Sequence, residues 1–143
     1  MHDRFQIRRA HWPEDADVLR QVRETVFVLE QHVPAELEWD GIDADCFHAL
    51  AMSLDGQAIG TGRLLQDGHI GRMAVLREWR GQGVGKQLME FLMAEARNQH
   101  YPRLLLNSQV SAVPFYERFE FVTQGDEFNE AGIPHLEMVL ELV

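Results

Sequence analysis

The chain is 143 residues long and carries 13 Lys+Arg against 23 Asp+Glu, a formal charge of −10. This length suits one domain, 1–143, with one hydrophobic core, and 45% hydrophobic residues are too many for a disordered chain. The acidic balance argues against a nucleic-acid or anionic-membrane binder, the lone Cys46 excludes an internal disulfide, and no stretch approaches the roughly 20 apolar residues of a membrane helix.

Met1 to Gln6 has charge from its third residue and no apolar signal core, so a cytoplasmic protein is expected. Phe5 to Arg9 reads as a first strand. Trp12-Pro13-Glu14-Asp15 then reads as a helix start, with proline preset for the first turn and acids at the positive end of the dipole. Val18, Leu19, Val22, Val26 and Leu29 recur at helical spacing and predict one buried face. Past Gln31, Pro34 and Gly41 break the helix into an acidic segment. Residues 30–45 hold Glu30, Glu36, Glu38, Asp40, Asp43 and Asp45 without a Lys or Arg.

From Cys46 the period changes. Cys46 to Leu54, Gln57 to Leu65 and His69 to Val75 read as strands joined at Asp55-Gly56 and Asp67-Gly68, both strong hairpin signals. Gly83 to Gln99 reads as a helix with Val84, Leu88, Phe91 and Leu92 inward, followed by a buried strand at Leu104-Leu105-Leu106. A short helix near Ser111 to Arg118 and strands near Phe121 to Phe128 and Leu136 to Leu142 complete the order β-α-β-β-β-α-β-α-β-β. The strand–helix–strand unit at 69–75, 83–99 and 103–109 predicts a parallel pair within a mixed sheet.

The most informative segment is 72–86. Glycines at 81, 83 and 85 follow a strand and open a helix, so backbone N–H groups can converge on one point at the positive helix end. Arg72, Arg77, Arg80 and Lys86 stand against Glu78 alone, a local +3 in an acidic chain. That pattern suits a phosphorylated ligand; a tight turn whose glycines serve only packing is the competing reading. A P-loop would need glycine at Arg80 and Ser or Thr at Gln87, and a dinucleotide fingerprint would need glycine at Lys86. Both are excluded.

Arg80-Gly-Gln-Gly-Val-Gly85 resembles the pyrophosphate-binding turn of the GNAT acyltransferase superfamily. Downstream, Asn107-Ser-Gln-Val-Ser-Ala-Val-Pro-Phe-Tyr-Glu-Arg-Phe-Glu-Phe121 is similar to that family's Asn…Ala-x-x-Phe-Tyr-x-x-x-Gly-Phe segment, with Glu120 in place of the usual glycine. Val26-Phe-Val-Leu-Glu-Gln-His-Val-Pro34 and Gly132-Ile-Pro-His-Leu-Glu-Met138 resemble the ElaA-like and glyphosate N-acetyltransferase-like branch. The resemblance implies an α/β (α+β) fold: a central mixed, mostly antiparallel sheet, flanked by helices, whose parallel pair splays around a coenzyme A site. It further implies transfer of an acetyl group from acetyl-CoA to a primary amine of a small molecule or peptide, by direct attack in a ternary complex.

By the same resemblance, Met73 and Val75 supply main-chain contacts to the pantetheine, and a Met73 or Ala74 N–H polarises the thioester carbonyl. Arg80, Gly81, Gln82, Gly83, Val84, Gly85 and Lys86 cradle the pyrophosphate, while Asn107 and Tyr116 flank the pantetheine from the other side of the cleft. Tyr116 is the candidate general acid, since a phenol can protonate a departing thiolate; a half-buried aromatic beside Phe115 is its structural alternative. His135 is the candidate general base; a hydrogen-bonded histidine ahead of an edge strand is the alternative, and Glu127 and Glu30 are rival bases.

Other residues carry less. Cys46 lacks a histidine at a dyad spacing, His48 reads as a packed or rim residue, and the seven histidines show no metal-ligand spacing, so no metal is expected. Trp39 either lines the acceptor pocket or caps a loop. The acidic 30–45 segment either draws a cationic amine to the cleft or is simply solvated. Gln109 stands where glyphosate-type enzymes carry an arginine, which argues against that anionic acceptor. A catalytically silent CoA-binding sensor or assembly module is the alternative function, and an exposed sheet edge or the last strand is where a homodimer would form.

Overall fold

The computed structural model describes residues 4–35 and 39–142. The predicted order of elements is found: β1 (Phe5–Ala10), α1 (Ala16–Arg23), β2 (Phe47–Ser53), β3 (Ala58–Leu64), β4 (Ile70–Val75), α2 (Val84–Asn98), β5 (Arg103–Gln109), α3 (Val113–Glu117), β6 (Val122–Glu130) and β7 (Ile133–Glu141). No helix among the described residues is long and apolar enough to cross a membrane.

The first helix differs from its prediction at both ends. Pro13 lies in a turn ahead of the helix, and Asp15 occupies the N-cap while its carboxylate accepts from the His11 N–H at 2.8 Å and pairs with Arg8. Beyond Arg23 the chain continues as a π-helix, Glu24–Glu30, closed by Gln31 N–H donating to the Val26 carbonyl at 3.0 Å. This i→i+5 bonding widens the turn. A three-residue step from buried Val26 therefore leaves the inner face, and Leu29 is 64% exposed rather than part of the core.

Two antiparallel sheets form the frame, ordered β1-β2-β3-β4 and β5-β7-β6. They meet through one parallel bridge, His69 with Leu105, where the Leu105 N–H donates to Gly68 O at 3.0 Å. Gly68 is required there: its φ is +98°, and a Cβ on it would lie 2.7 Å from Arg103 O. Past this point β4 and β5 carry no shared ladder, so the parallel pair splays. On β4 a bulge sets Arg72 and Met73 opposite the single residue Gly62, and Arg72 takes φ +50°. Bulges of this kind re-aim side chains and interrupt pairing.

Helix α2 closes the other face with Val84, Leu88, Met89, Leu92, Met93 and Ala96 buried, whereas Phe91 sits at the margin, stacked on Phe47. Close approach is possible because β3 offers glycine: a Cβ on Gly60 would lie 3.0 Å from Val84 Cγ1. The last strand, β7, is not an edge. It starts three residues earlier than predicted, at Ile133, and runs between β5 and β6. The reason is a two-residue turn at Ala131 and Gly132, both at positive φ, which lets Glu130 pair with Ile133. A dimer by strand addition therefore cannot use β7; β1 and β6 are the outer strands of the two sheets.

A buried charge cluster joins the acidic segment to the sheet. Asp43 Oδ1 accepts from Arg23 at 2.8 Å and from Arg63 at 2.9 Å, and these residues are 5%, 1% and 4% exposed respectively. Asp40 accepts from Arg63 at 3.1 Å and from Arg72 at 3.1 Å. His48, buried, bonds the Asp43 carbonyl at 2.8 Å and stacks on Trp12, as a packed residue. Burial alone would raise the Asp43 carboxyl, but hydrogen bonds and charge from Arg23 and Arg63 carry it below the usual range. The same balance leaves Asp40 at about 2.

Both carboxyls are lower in the folded chain than in the unfolded one. The stability they contribute is complete above about pH 4 and is lost as pH falls toward 2. Replacing Asp43 by Asn strands two buried guanidinium groups and is expected to cost about 3–5 kcal/mol. Urea unfolding at pH 7 and pH 3 checks both statements: Asp43→Asn should lower the midpoint at pH 7 and flatten its fall between the two.

Candidate active site

The splay between β4 and β5 opens a cleft of about 730 Å³. Ile70, Gly71, Arg72 and Met73 line it from β4, and Asn107 and Gln109 line it from β5. Phe27, Gln31 and Val33 form one wall, and Tyr116, Glu130, Ile133 and His135 form the other.

The β4 side carries the open backbone. Leu76 N–H donates to Ile59 O at 2.9 Å and Ala74 registers with Thr61, so both point toward β3. By strand alternation, Met73 and Val75 turn their main-chain groups to the edge facing β5. Ala74 is buried and outside the cleft, which favours Met73 over Ala74 as the donor there. The Val75 carbonyl is already in use, accepting from Arg80 Nε at 2.9 Å.

Beyond β4, a short 3-10 turn, Arg77–Trp79, leads into the glycine loop. Gly81 and Gly83 adopt φ of +76° and +88°, and no atom lies within 4 Å of the space their Cβ atoms would fill. Gly83 is the N-cap of α2, which has no side-chain cap and no acid in its first turn. The positive end of a 15-residue helix is thus left for an outside anion. Lys86 is exposed nearby, while Val84 points into the core. Gly85 admits α3, since a Cβ there would approach Phe115 Cζ to 3.3 Å. The loop therefore fits a pyrophosphate.

On the opposite wall, Tyr116 packs edge-on against Phe115 and Phe121, and burial pushes its phenol up to about 12. It remains a proton donor across the physiological range. His135 lies within β7, 6% exposed and stacked on Phe128. Its Nδ1 stands 2.7 Å from the Ile133 carbonyl, which assigns the ring proton to Nδ1 and leaves Nε2 basic. Nε2 faces Glu130 Oε2 at 3.6 Å, and Asn107 Nδ2 donates to Glu130 Oε1 at 3.4 Å.

The rival bases fall away. Glu30 accepts a two-pronged bond from Arg80, at 2.7 and 2.8 Å, which lowers its carboxyl, and Glu127 is exposed on β6 away from the cleft. Cys46 donates to Ile42 O and burial raises its thiol, the opposite of an activated nucleophile. Trp39 stacks over Arg23 and Arg20 as a loop cap rather than lining the cleft. Glu30, Asp40 and Asp43 are each bound to arginine, so these carboxylates do not form a free anionic lure. Glu36 and Glu38 lie outside the described residues. Among the described residues no three His, Cys, Asp or Glu gather to hold a metal.

Residues 14–142 match the family model described as "Acetyltransferase (GNAT) domain". The chain belongs to the GNAT acetyltransferase family. It is 41% identical over 123 residues to "Uncharacterized N-acetyltransferase YjcF" of Bacillus subtilis (strain 168), covering 82% of this chain and 86% of that one. The crystal structure of Escherichia coli ElaA superposes with a TM-score of 0.82 at 30% identity, covering 96% of this chain and 99% of ElaA. An acyl-CoA N-acyltransferase structure from Pseudomonas aeruginosa gives 0.84 at 32% identity, over 94% and 98% of the two chains. The ElaA-like resemblance is thus shown in both sequence and fold. As a GNAT enzyme the chain is an acetyl-CoA-dependent N-acetyltransferase.

Two cleft residues escaped the sequence reading. Glu130 reaches His135 only across the Ala131-Gly132 turn, a weaker signal than Asp-Gly, and Gln31 bonds Gln109 at 2.9 Å across 78 positions. Glu120 is a different case. It keeps the left-handed backbone of the family's glycine, with φ +73°, closing the turn through its N–H to Glu117 O at 2.9 Å. The turn survives at a conformational cost. Glu120→Gly is therefore expected to raise stability by about 1 kcal/mol, measured as an upward shift of the thermal midpoint with acetyl-CoA affinity unchanged.

Proposed function

We propose that this GNAT enzyme moves the acetyl group of acetyl-CoA to a primary amine by direct attack in a ternary complex. The observation that carries the reading is a cleft lined by an acid and a base, Tyr116 and His135, on a fold whose uncapped α2 N-terminus borders a separate cavity lined by Gln82, Gly83 and Lys86. The main chain of Arg80 to Lys86 cradles the pyrophosphate, and Met73, Val75 and Asn107 flank the pantetheine. The thioester carbonyl rests on the Met73 N–H, which stabilises the oxyanion as the amine attacks.

The remaining steps are proton transfers. His135 Nε2 accepts the proton of the acceptor ammonium, freeing the nitrogen lone pair. Glu130 faces that nitrogen and balances the imidazolium charge. The new C–N bond forms, the C–S bond breaks as the Tyr116 hydroxyl protonates the departing thiolate, and the phenolate so formed takes up the second proton shed by the acylated nitrogen. A phenol held near 12 supplies that proton without ionising in the ground state.

Calorimetric titration with acetyl-CoA, with desulfo-CoA, ATP and NAD as controls, tests the donor. Binding selective for the coenzyme over ATP and NAD is expected. Gly83→Asp should abolish it, because the new carboxylate occupies the anion site on a backbone of φ +88°. A folded wild-type protein that does not bind acetyl-CoA removes this reading.

Tyr116→Phe is expected to retain acetyl-CoA affinity while lowering turnover about 10²-fold or more. In the wild-type pH–rate profile, loss of the Tyr116 proton should appear only as pH climbs toward 12. His135→Ala should likewise lower turnover with acetyl-CoA affinity retained. Thiol release measured against a panel of primary amines reports both, and unchanged turnover in either variant overturns its assignment.

A further inference from the structure

The arginine that opens the glycine loop does not face the site of the phosphates. Its Nε donates to Val75 O at 2.9 Å, and Nη1 and Nη2 donate to the two oxygens of Glu30 at 2.7 and 2.8 Å. Three donors on one rigid planar group are therefore committed, in the bidentate geometry that gives arginine–carboxylate pairs their strength. Arg77 also lies 3.9 Å from Glu30, so that carboxylate is drawn toward the loop from two positions.

The three anchor points belong to different elements around the cleft. Val75 ends β4, the strand offering its open edge to the donor. Arg80 begins the glycine loop. Glu30 ends the π-helix, which carries Phe27 into the cleft, and directly precedes Gln31, which lines the cleft and bonds Gln109 on β5. Gly81 and Gly83 immediately after Arg80 have wide conformational freedom when no ligand is bound. A loop ordered before binding does not lose that entropy on binding.

We propose that Glu30 is a positioning residue for acetyl-CoA: through Arg80 it orders the pyrophosphate loop and ties it to the cleft wall that carries Phe27 and Gln31. Arg80 contributes its backbone to the phosphate cradle and its guanidinium to this tether. The proposal rests on acetyl-CoA as the donor and goes beyond it, because the motif arginine alone suggests a direct phosphate contact. The two roles make opposite predictions for Glu30. A tether weakens when Glu30 loses its charge, whereas an arginine freed from a competing carboxylate binds phosphate better.

Calorimetric titration of the wild type, Glu30→Gln, Arg80→Ala and the double variant with acetyl-CoA separates them, with thermal midpoints recorded alongside. Glu30→Gln is nearly isosteric and side-chain exposure at Glu30 is 23%, so a folded protein is expected. The tether requires both single variants to weaken binding about five- to tenfold and the double variant to add little, the non-additivity of a coupled pair. Tighter binding in Glu30→Gln makes Arg80 a phosphate ligand and overturns the proposal. So do unchanged affinities with a lowered midpoint, which would mark a purely structural pair, and so does loss in only one single variant. Failure of the wild type to bind acetyl-CoA would instead remove the donor reading together with this one.

Discussion

Asp43 is a carboxylate held out of water between two guanidinium groups, and the geometry of the cleft depends on it. Arg23 comes from the first helix, Arg63 from β3, and Asp43 from the acidic segment 20 residues from each. A buried charge is costly to strand, so the three are kept together once folded. Asp40 extends the cluster to Arg72 in the β4 bulge, and Trp39 covers Arg23 from above. A segment with no regular ladder of its own thereby lies against the sheet. Asp40 and Asp43 act as internal ligands for arginine, which removes these two as an electrostatic attractant for a cationic acceptor.

The second constraint is the nearly complete absence of hydrogen bonding between β4 and β5. One bridge at His69 and Leu105 fixes where the parallel strands part, and Gly68 allows the backbones to meet there. Everything downstream follows from that divergence. The bulge at Arg72 and Met73 presents main chain to the gap, α2 begins after the glycine loop that follows β4 with its N-terminus uncapped, and β7 delivers His135 from between β5 and β6. Each reactive group is mounted on a different element, yet all are referred to the same two strands. Enzymes rely on such fixed placement because orientation contributes much of the rate.

Much of the architecture was legible along the chain. The Asp-Gly turns, the alternating strands, the three- and four-residue spacing of α2 and the glycine loop are local signals, and each corresponds to an observed element. The candidate residues Met73, Asn107, Tyr116 and His135 all line the same cleft. Errors arose where geometry departs from the regular period. The π-helix turned Leu29 outward, the Ala131-Gly132 turn lengthened β7 and brought Glu130 to His135, and Glu120 assumed a backbone that its side chain disfavours.

By itself, the sequence determined the family, the order of elements and the residues able to carry acyl-transfer chemistry, because these depend on short windows and matched motifs. Tertiary structure alone decided which charges are spent inside the fold. Glu30 with Arg80, Asp43 with Arg23 and Arg63, and Gln31 with Gln109 are separated by 50, 20 and 78 positions. No periodicity links residues so far apart. Their pairing is set by sheet order, by the point at which β4 and β5 separate, and by the cost of leaving a buried charge without a partner.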